Sequence, residues 1–213
     1  MSDIIIFDFD GVLADTRPFM LQTAGEICAQ LGHPCTPTPA DQEALPAMSF
    51  DNLGRQLGIP EEQIPEFTRR NLEAFNSHPE PMPAFPGIDQ IVLQLARQFR
   101  LGLVTGNGGG VVRKYLAHCG LDGCFEVVLS LEDPGSRVEK IQRILSTLGN
   151  GAGQAYMIGD AVSDIHAARQ AGILSVAVSW GHQSLTQLRQ AGPDFIVKEP
   201  ADLLNLLNKI SSG

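Results

Sequence analysis

Residues 4–13 read IIIFDFDGVL, an apolar run that passes directly into two carboxylates one residue apart, Asp8 and Asp10, with Gly11 behind them. Three isoleucines and a phenylalanine without interruption describe a strand buried on both faces, as in a parallel sheet. Acids at the end of such a run cost desolvation energy, so their presence asks for a chemical reason. On extended backbone, residues two apart point the same way. Asp8 and Asp10 therefore face one crevice while Phe7 and Phe9 face the core. Gly11 permits a turn that a side chain would obstruct. One carboxylate of such a pair can attack phosphorus. The other, kept protonated by its neighbour's charge, can give a proton to the leaving oxygen.

Comparable short apolar runs recur at 101–105 (LGLVT), 125–130 (FEVVLS), 155–158 (AYMI), 174–178 (LSVAV) and 195–197 (FIV). Between most of them lie segments of helical period: Ile88, Ile91, Val92 and Leu95; Val111, Val112, Tyr115, Leu116 and Cys119; Val138, Ile141, Ile144, Leu145 and Leu148. This alternation predicts an α/β fold, a doubly wound Rossmann-like parallel sheet. Residues 16–84 break it. They hold helical patterns over Phe19–Leu31, Phe50–Leu57 and Glu61–Phe75, punctuated by prolines, with Thr16 or Asp15 as the first N-cap and Pro18 in the first turn. The expectation is a core domain of residues 1–15 and 85–213, with a small all-helical cap, 16–84, inserted after the first strand. In such a sheet ligands bind at the carboxyl ends of the strands, where Asp8, Thr105 and Asp160 fall.

The chain of 213 residues carries a formal net charge of −9, with a pI near 4.9. That balance argues against nucleic acid and against an anionic membrane surface as partners. Asp3 and Asp8 flank the first apolar run where a secretory signal would carry basic residues, and no stretch reaches the length of a membrane span. Cys28, Cys35, Cys119 and Cys124 form no CxxC pair and read as reduced thiols of a cytoplasmic protein, a monomer or homodimer. Cys119, Cys124 and His118 do not meet zinc spacing.

Two more segments carry chemistry. In MIGDAVSDIHAARQAG, Asp160 and Asp164 lie four apart, one face of a helix if both are helical, and a hard cation between them would relieve their repulsion. In LVTGNGGGVV, the Thr105 hydroxyl and the N–H groups of Gly106 and Asn107 form a pocket for a phosphate oxygen, with regular helix expected from about Val111.

DFDGVLADT, VTGN and GDAVSD together resemble the first, second and fourth motifs of the haloacid dehalogenase-like phosphohydrolases. AARQAG, WGH and AGPDFIV are similar to that family's phosphoglycolate-phosphatase-like branch. The resemblance implies a Mg²⁺-dependent phosphatase acting on a small phosphorylated metabolite, 2-phosphoglycolate foremost. A phosphomutase, a pyrophosphatase, or a binding protein with impaired catalysis are the alternatives. It further implies Asp8 as nucleophile, Asp10 as general acid and base, Gly11, Thr105, Gly106 and Asn107 around the phosphoryl group, and Asp8, Asp10, Asp160 and Asp164 around Mg²⁺. The family's third-motif lysine has no direct counterpart in DPGSRVEKIQRIL, where Arg137 or Lys140 takes its role. His166 and His182 read as helix-surface or loop residues, Trp180 as packed near a strand end, and Arg17 and Arg55 either as solvated helix arginines or as groups that meet the distal part of the substrate.

Overall fold

The computed structural model describes residues 2–149 and 153–211. The elements run β1 (Ile4–Phe7), α1 (Arg17–Gln30), α2 (Pro39–Glu43), α3 (Phe50–Gln56), a 3₁₀ turn (Glu61–Gln63), α4 (Ile64–Ser77), α5 (Ile88–Leu95), β2 (Arg100–Val104), α6 (Gly109–His118), β3 (Val127–Leu129), α7 (Arg137–Leu148), β4 (Ala155–Gly159), α8 (Val162–Ala171), β5 (Leu174–Val178), α9 (Leu185–Ala191), β6 (Phe195–Val197) and α10 (Pro200–Ser211).

The six strands form one sheet in the order β3-β2-β1-β4-β5-β6, parallel throughout. β1 is central, with Phe7 level with Leu103 of β2 on one side and Ile158 of β4 on the other. The chain first winds outward through β2 and β3 and then returns to β4. The strand order therefore reverses beside β1, the place where such sheets bind ligands. Because every strand runs the same way, the residues that follow β1, β2 and β4 emerge on one edge.

Burial explains the continuous apolar run. Ile4 and Ile6 join Met157, Ile141, Ile144 and Ala168 in one cluster beneath α7 and α8. Ile5 and Phe7, alternate in the strand, are fully buried too. Phe7 meets Phe125 edge-on at 5.9 Å, and Phe9 meets Tyr115 of α6 at 5.0 Å.

The chain divides into two compact units, Met1–Asp15 with Pro81–Gly213, and Thr16–Glu80. Residues 81–84, placed in the insertion by the sequence, belong with the sheet. The reason is backbone pairing: Asp15 donates to Pro83 at 2.8 Å, Phe85 donates to Leu13 at 3.1 Å, and Ala84 bridges Ala14. The second unit is helical, built around Ala24, Ile27, Cys28, Leu53, Ile64 and Phe67. Its short α2 has no counterpart in the periodicity; a Thr38–Asp41 capping box and Pro39 start it. No helix among the described residues is long and apolar enough to cross a membrane.

Candidate active site

Asp8 follows the last residue of β1 and is 5% exposed; its backbone N–H is tied to Ile158 of β4 at 2.9 Å. Gly11 turns the chain back with φ +73°. A Cβ there would stand 1.9 Å from Asp160 Oδ2, so only glycine allows the first loop to lie against the fourth strand's acid. Asp160 and Asp164 are each 1% exposed. They do not share a helical face, as their spacing suggested. α8 begins at Val162, so Asp160 precedes the helix, while Asp164 folds back over the first turn and accepts the Ala161 N–H at 3.1 Å. The two carboxylates still converge, because a strand end and a helix start bring them to one point.

Asp8, Asp160 and Asp164 offer oxygens that all lie within 4.8 Å of one another. Burial, reinforced by the charge of Asp8, pushes the carboxyls of Asp160 and Asp164 well above the ordinary carboxylate range. Asp8 Oδ1 is buried with no hydrogen-bond partner. An all-oxygen cluster of three buried acids is the donor set that suits a hard divalent cation. Among the described residues no group of metal-binding type forms around His118, Cys119 and Cys124. Asp10, expected among the cation's ligands, stands outside the cluster. Both of its carboxylate oxygens accept from the Asn107 side-chain amide, at 2.8 and 2.9 Å.

The third-motif position is resolved in space. The Arg137 guanidinium lies 3.2 Å from Asp8 Oδ1 and pairs with Asp164. Burial opposes its charge, but Asp164 and Asp8 outweigh that and hold its pKa above the ordinary arginine value. Lys140 turns elsewhere: its ammonium is buried and donates to the Ser130 carbonyl at 2.6 Å. Helical geometry separates them. Arg137 is the first residue of α7, beside the Ser136 cap, whereas Lys140 one turn later faces the β3–α7 loop.

Thr105 is 2% exposed, and its Oγ1 accepts the Asn107 N–H at 3.0 Å. That N–H is thus used within the loop, contrary to its expected role as a phosphate donor; the amide side chain of Asn107 is used as well, on Asp10. Regular helix begins at Gly109, ahead of the expected Val111, because the Glu132 carboxylate takes the Gly109 N–H at 2.9 Å and holds the first turn.

His182, expected as a helix-surface or loop residue, is in a loop but only 2% exposed. Its N–H donates to Asp160 Oδ2 at 2.6 Å, and its ring Nδ1 lies 3.4 Å from the same oxygen. Gln183, which the sequence did not single out, accepts the Val162 N–H at 2.6 Å. His166 is exposed on α8. Trp180 donates its indole N–H to Val12 at 3.2 Å. In the helical unit, Arg55 is held by Glu61 at 2.8 Å and Arg17 lies 3.9 Å from Glu43.

Residues 5–178 match the model of the haloacid dehalogenase-like hydrolases. The chain is similar to a phosphoglycolate phosphatase of Synechococcus elongatus, 28% identical over 97% of each chain. It is also similar to the pyrophosphatase PpaX of Bacillus velezensis, 27% identical over 95% of this chain and 94% of that one. A solved haloacid dehalogenase-like family hydrolase from Streptococcus pneumoniae shares the fold with a TM-score of 0.81 at 21% identity, over 96% and 97% of the two chains. A family match that runs from β1 to the end of β5 and takes in each of the acidic strand ends leaves one reading: this chain is a hydrolase belonging to the haloacid dehalogenase-like family.

Proposed function

We propose that this hydrolase is a Mg²⁺-dependent phosphatase that cleaves the monoester of a small phosphorylated metabolite, with 2-phosphoglycolate as the first substrate to test. The observation that carries the reading is the buried convergence of Asp8, Asp160 and Asp164, with Arg137 against two of them. In this reading an Asp8 oxygen attacks phosphorus, and the bond to the leaving oxygen breaks as Asp10 gives that oxygen a proton. Asp10 then takes a proton from water. The water oxygen attacks the aspartyl-phosphate, and inorganic phosphate leaves with Asp8 restored. The Asn107 amide holds the Asp10 carboxylate for both transfers. Arg137 is assigned the third-motif role: a guanidinium beside Asp8 can grip a phosphoryl oxygen while neutralising the nucleophile's surroundings. The Thr105 hydroxyl, whose oxygen accepts from Asn107, keeps its proton to donate to a phosphoryl oxygen, and the Gly106 N–H is assigned beside it. Asp8, Asp160 and Asp164 would hold Mg²⁺, which would supply positive charge to the phosphoryl oxygens when bound. Choice of substrate is assigned to the helical unit Thr16–Glu80.

Pyrophosphate is the second candidate, because a relative similar along nearly the whole chain is a pyrophosphatase. Phosphate release from 2-phosphoglycolate, pyrophosphate and an aryl phosphate, measured with Mg²⁺ or with EDTA and beside Asp8→Asn, tests the reading. Turnover that requires both Mg²⁺ and Asp8 is expected, and the preferred substrate separates the two candidates. Release that survives EDTA or Asp8→Asn would overturn the mechanism.

A further inference from the structure

The loop from Ser179 to Gln183 lies against Asp160 and against the start of α8, and nothing in the acid motifs calls for it. Its frame is anchored on both sides. Ser179 donates to Val197 of β6 at 3.1 Å, the Trp180 indole reaches Val12 at 3.2 Å, and Ser184, the next residue, caps α9. Inside that frame Gly181 approaches so closely that a Cβ would stand 2.3 Å from Asp160 Cβ, 2.4 Å from Asp160 Oδ2 and 2.5 Å from the Gly11 carbonyl. The next residue, His182, places its N–H 2.6 Å from Asp160 Oδ2. Gln183, 4% exposed, places Oε1 2.6 Å from the N–H of Val162, the first residue of the helix that carries Asp164. Two of the three converging acids are thus positioned by consecutive residues of one loop: Asp160 directly, and Asp164 through the start of α8.

We propose that Ser179–Gln183 is the outer support of the cation site, with His182 and Gln183 as positioning residues that set how tightly a divalent cation is held. This rests on the cation reading above and adds the determinant of its affinity. Groups that orient metal ligands without touching the metal are typically worth ten- to a hundredfold in affinity. Here the support works by geometry. The His182 N–H holds Asp160 through its Oδ2, which fixes the orientation of that carboxylate. Gln183 fixes the first turn of α8, whose position sets the reach of Asp164.

Calorimetric titration of Mg²⁺ into the protein and its Gln183→Leu, Gln183→Asn and Gln183→Glu variants tests this, alongside the metal-free thermal midpoint of each. Leucine removes the acceptor, asparagine shortens it, and glutamate keeps an oxygen at full reach. Expected are Mg²⁺ affinities about tenfold or more weaker in the leucine and asparagine variants and restored by glutamate. A simple loss of packing would not give that restoration. Asparagine, which keeps the amide, provides the affinity reading if leucine prevents folding. Wild-type protein that binds Mg²⁺ with folded Gln183 variants all within about twofold of it overturns the support alone. Wild-type protein that takes up no Mg²⁺ overturns the cation reading and the support together.

Discussion

Asp8 is a buried acid whose Oδ1 makes no well-aligned hydrogen bond and lies 3.2 Å from the Arg137 guanidinium, so its charge is balanced by an ion pair and not by a network of donors. Asp8→Asn removes the charge of the proposed nucleophile at nearly constant shape. It is expected to abolish phosphate release while leaving the circular dichroism spectrum intact. Arg137 carries the charge that balances Asp8 and Asp164. Replacement by alanine is expected to lower kcat by roughly 10²–10³, the usual cost of losing a positioned charge at a phosphoryl group. Arg137→Lys is expected to recover at least a tenth of the wild-type rate, approximately, since the charge remains and only the forked geometry is lost. Steady-state kinetics on one substrate reads both. Gly11→Ala meets two penalties at once: a positive φ that costs about 1–2 kcal/mol for a side chain, and a Cβ driven into Asp160. Its urea midpoint is expected to fall accordingly. The importance of Asp8, Asp10 and Gly11 was legible in ten residues of sequence. The partner of Asp10 was not, because Asn107 is 97 residues away and its side chain could as well have faced substrate.

At the scale of elements, the start of α7 decides which basic side chain lies beside Asp8. A capping box between Ser136 and Glu139 fixes the first turn and presents Arg137 to the strand ends, while Lys140 binds the Ser130 carbonyl. Lys140→Met is therefore expected to act on stability. It leaves a carbonyl unpaired at a cost of about 1–3 kcal/mol, read by urea denaturation, with kcat kept within about tenfold of wild type. A loss of kcat as large as that of Arg137→Ala would return the third-motif role to Lys140. Apolar runs located the strands, because burial on both faces leaves them continuous, and helical period located α5, although β3 covers only Val127–Leu129 of the run expected at 125–130. Helical period was weaker at helix starts. α6 begins two residues before the expected position since Glu132, from a separate loop, holds its N-terminus, and Asp160 falls outside α8 because the strand extends to Gly159.

For the whole molecule, the acidic cluster links stability to pH. Burial, reinforced by the charge of Asp8, raises Asp160 and Asp164 above their ordinary value of 3.8. Between the ordinary and the raised values the folded state holds protons that the unfolded state has lost. The contribution of these two acids to stability is then fully present below about pH 4 and is lost as pH rises through their raised values. In EDTA the thermal midpoint is expected to fall from pH 5 to pH 8, and Mg²⁺ is expected to remove most of that slope by taking the place of the protons. A flat profile in EDTA would show that the acids ionise freely without a cation. The sequence by itself determined the sheet, the helical insertion and the acids at the strand ends, because each is a local pattern of apolar period, breaker residues and motif spacing. Only the tertiary structure put Arg137 beside Asp8 and Lys140 on the Ser130 carbonyl, brought His182 onto Asp160 and Gln183 onto the start of α8, and set Asp10 on Asn107 outside the acidic cluster. Those outcomes depend on which side chains meet across tens of residues of chain, and packing, not local pattern, makes that choice.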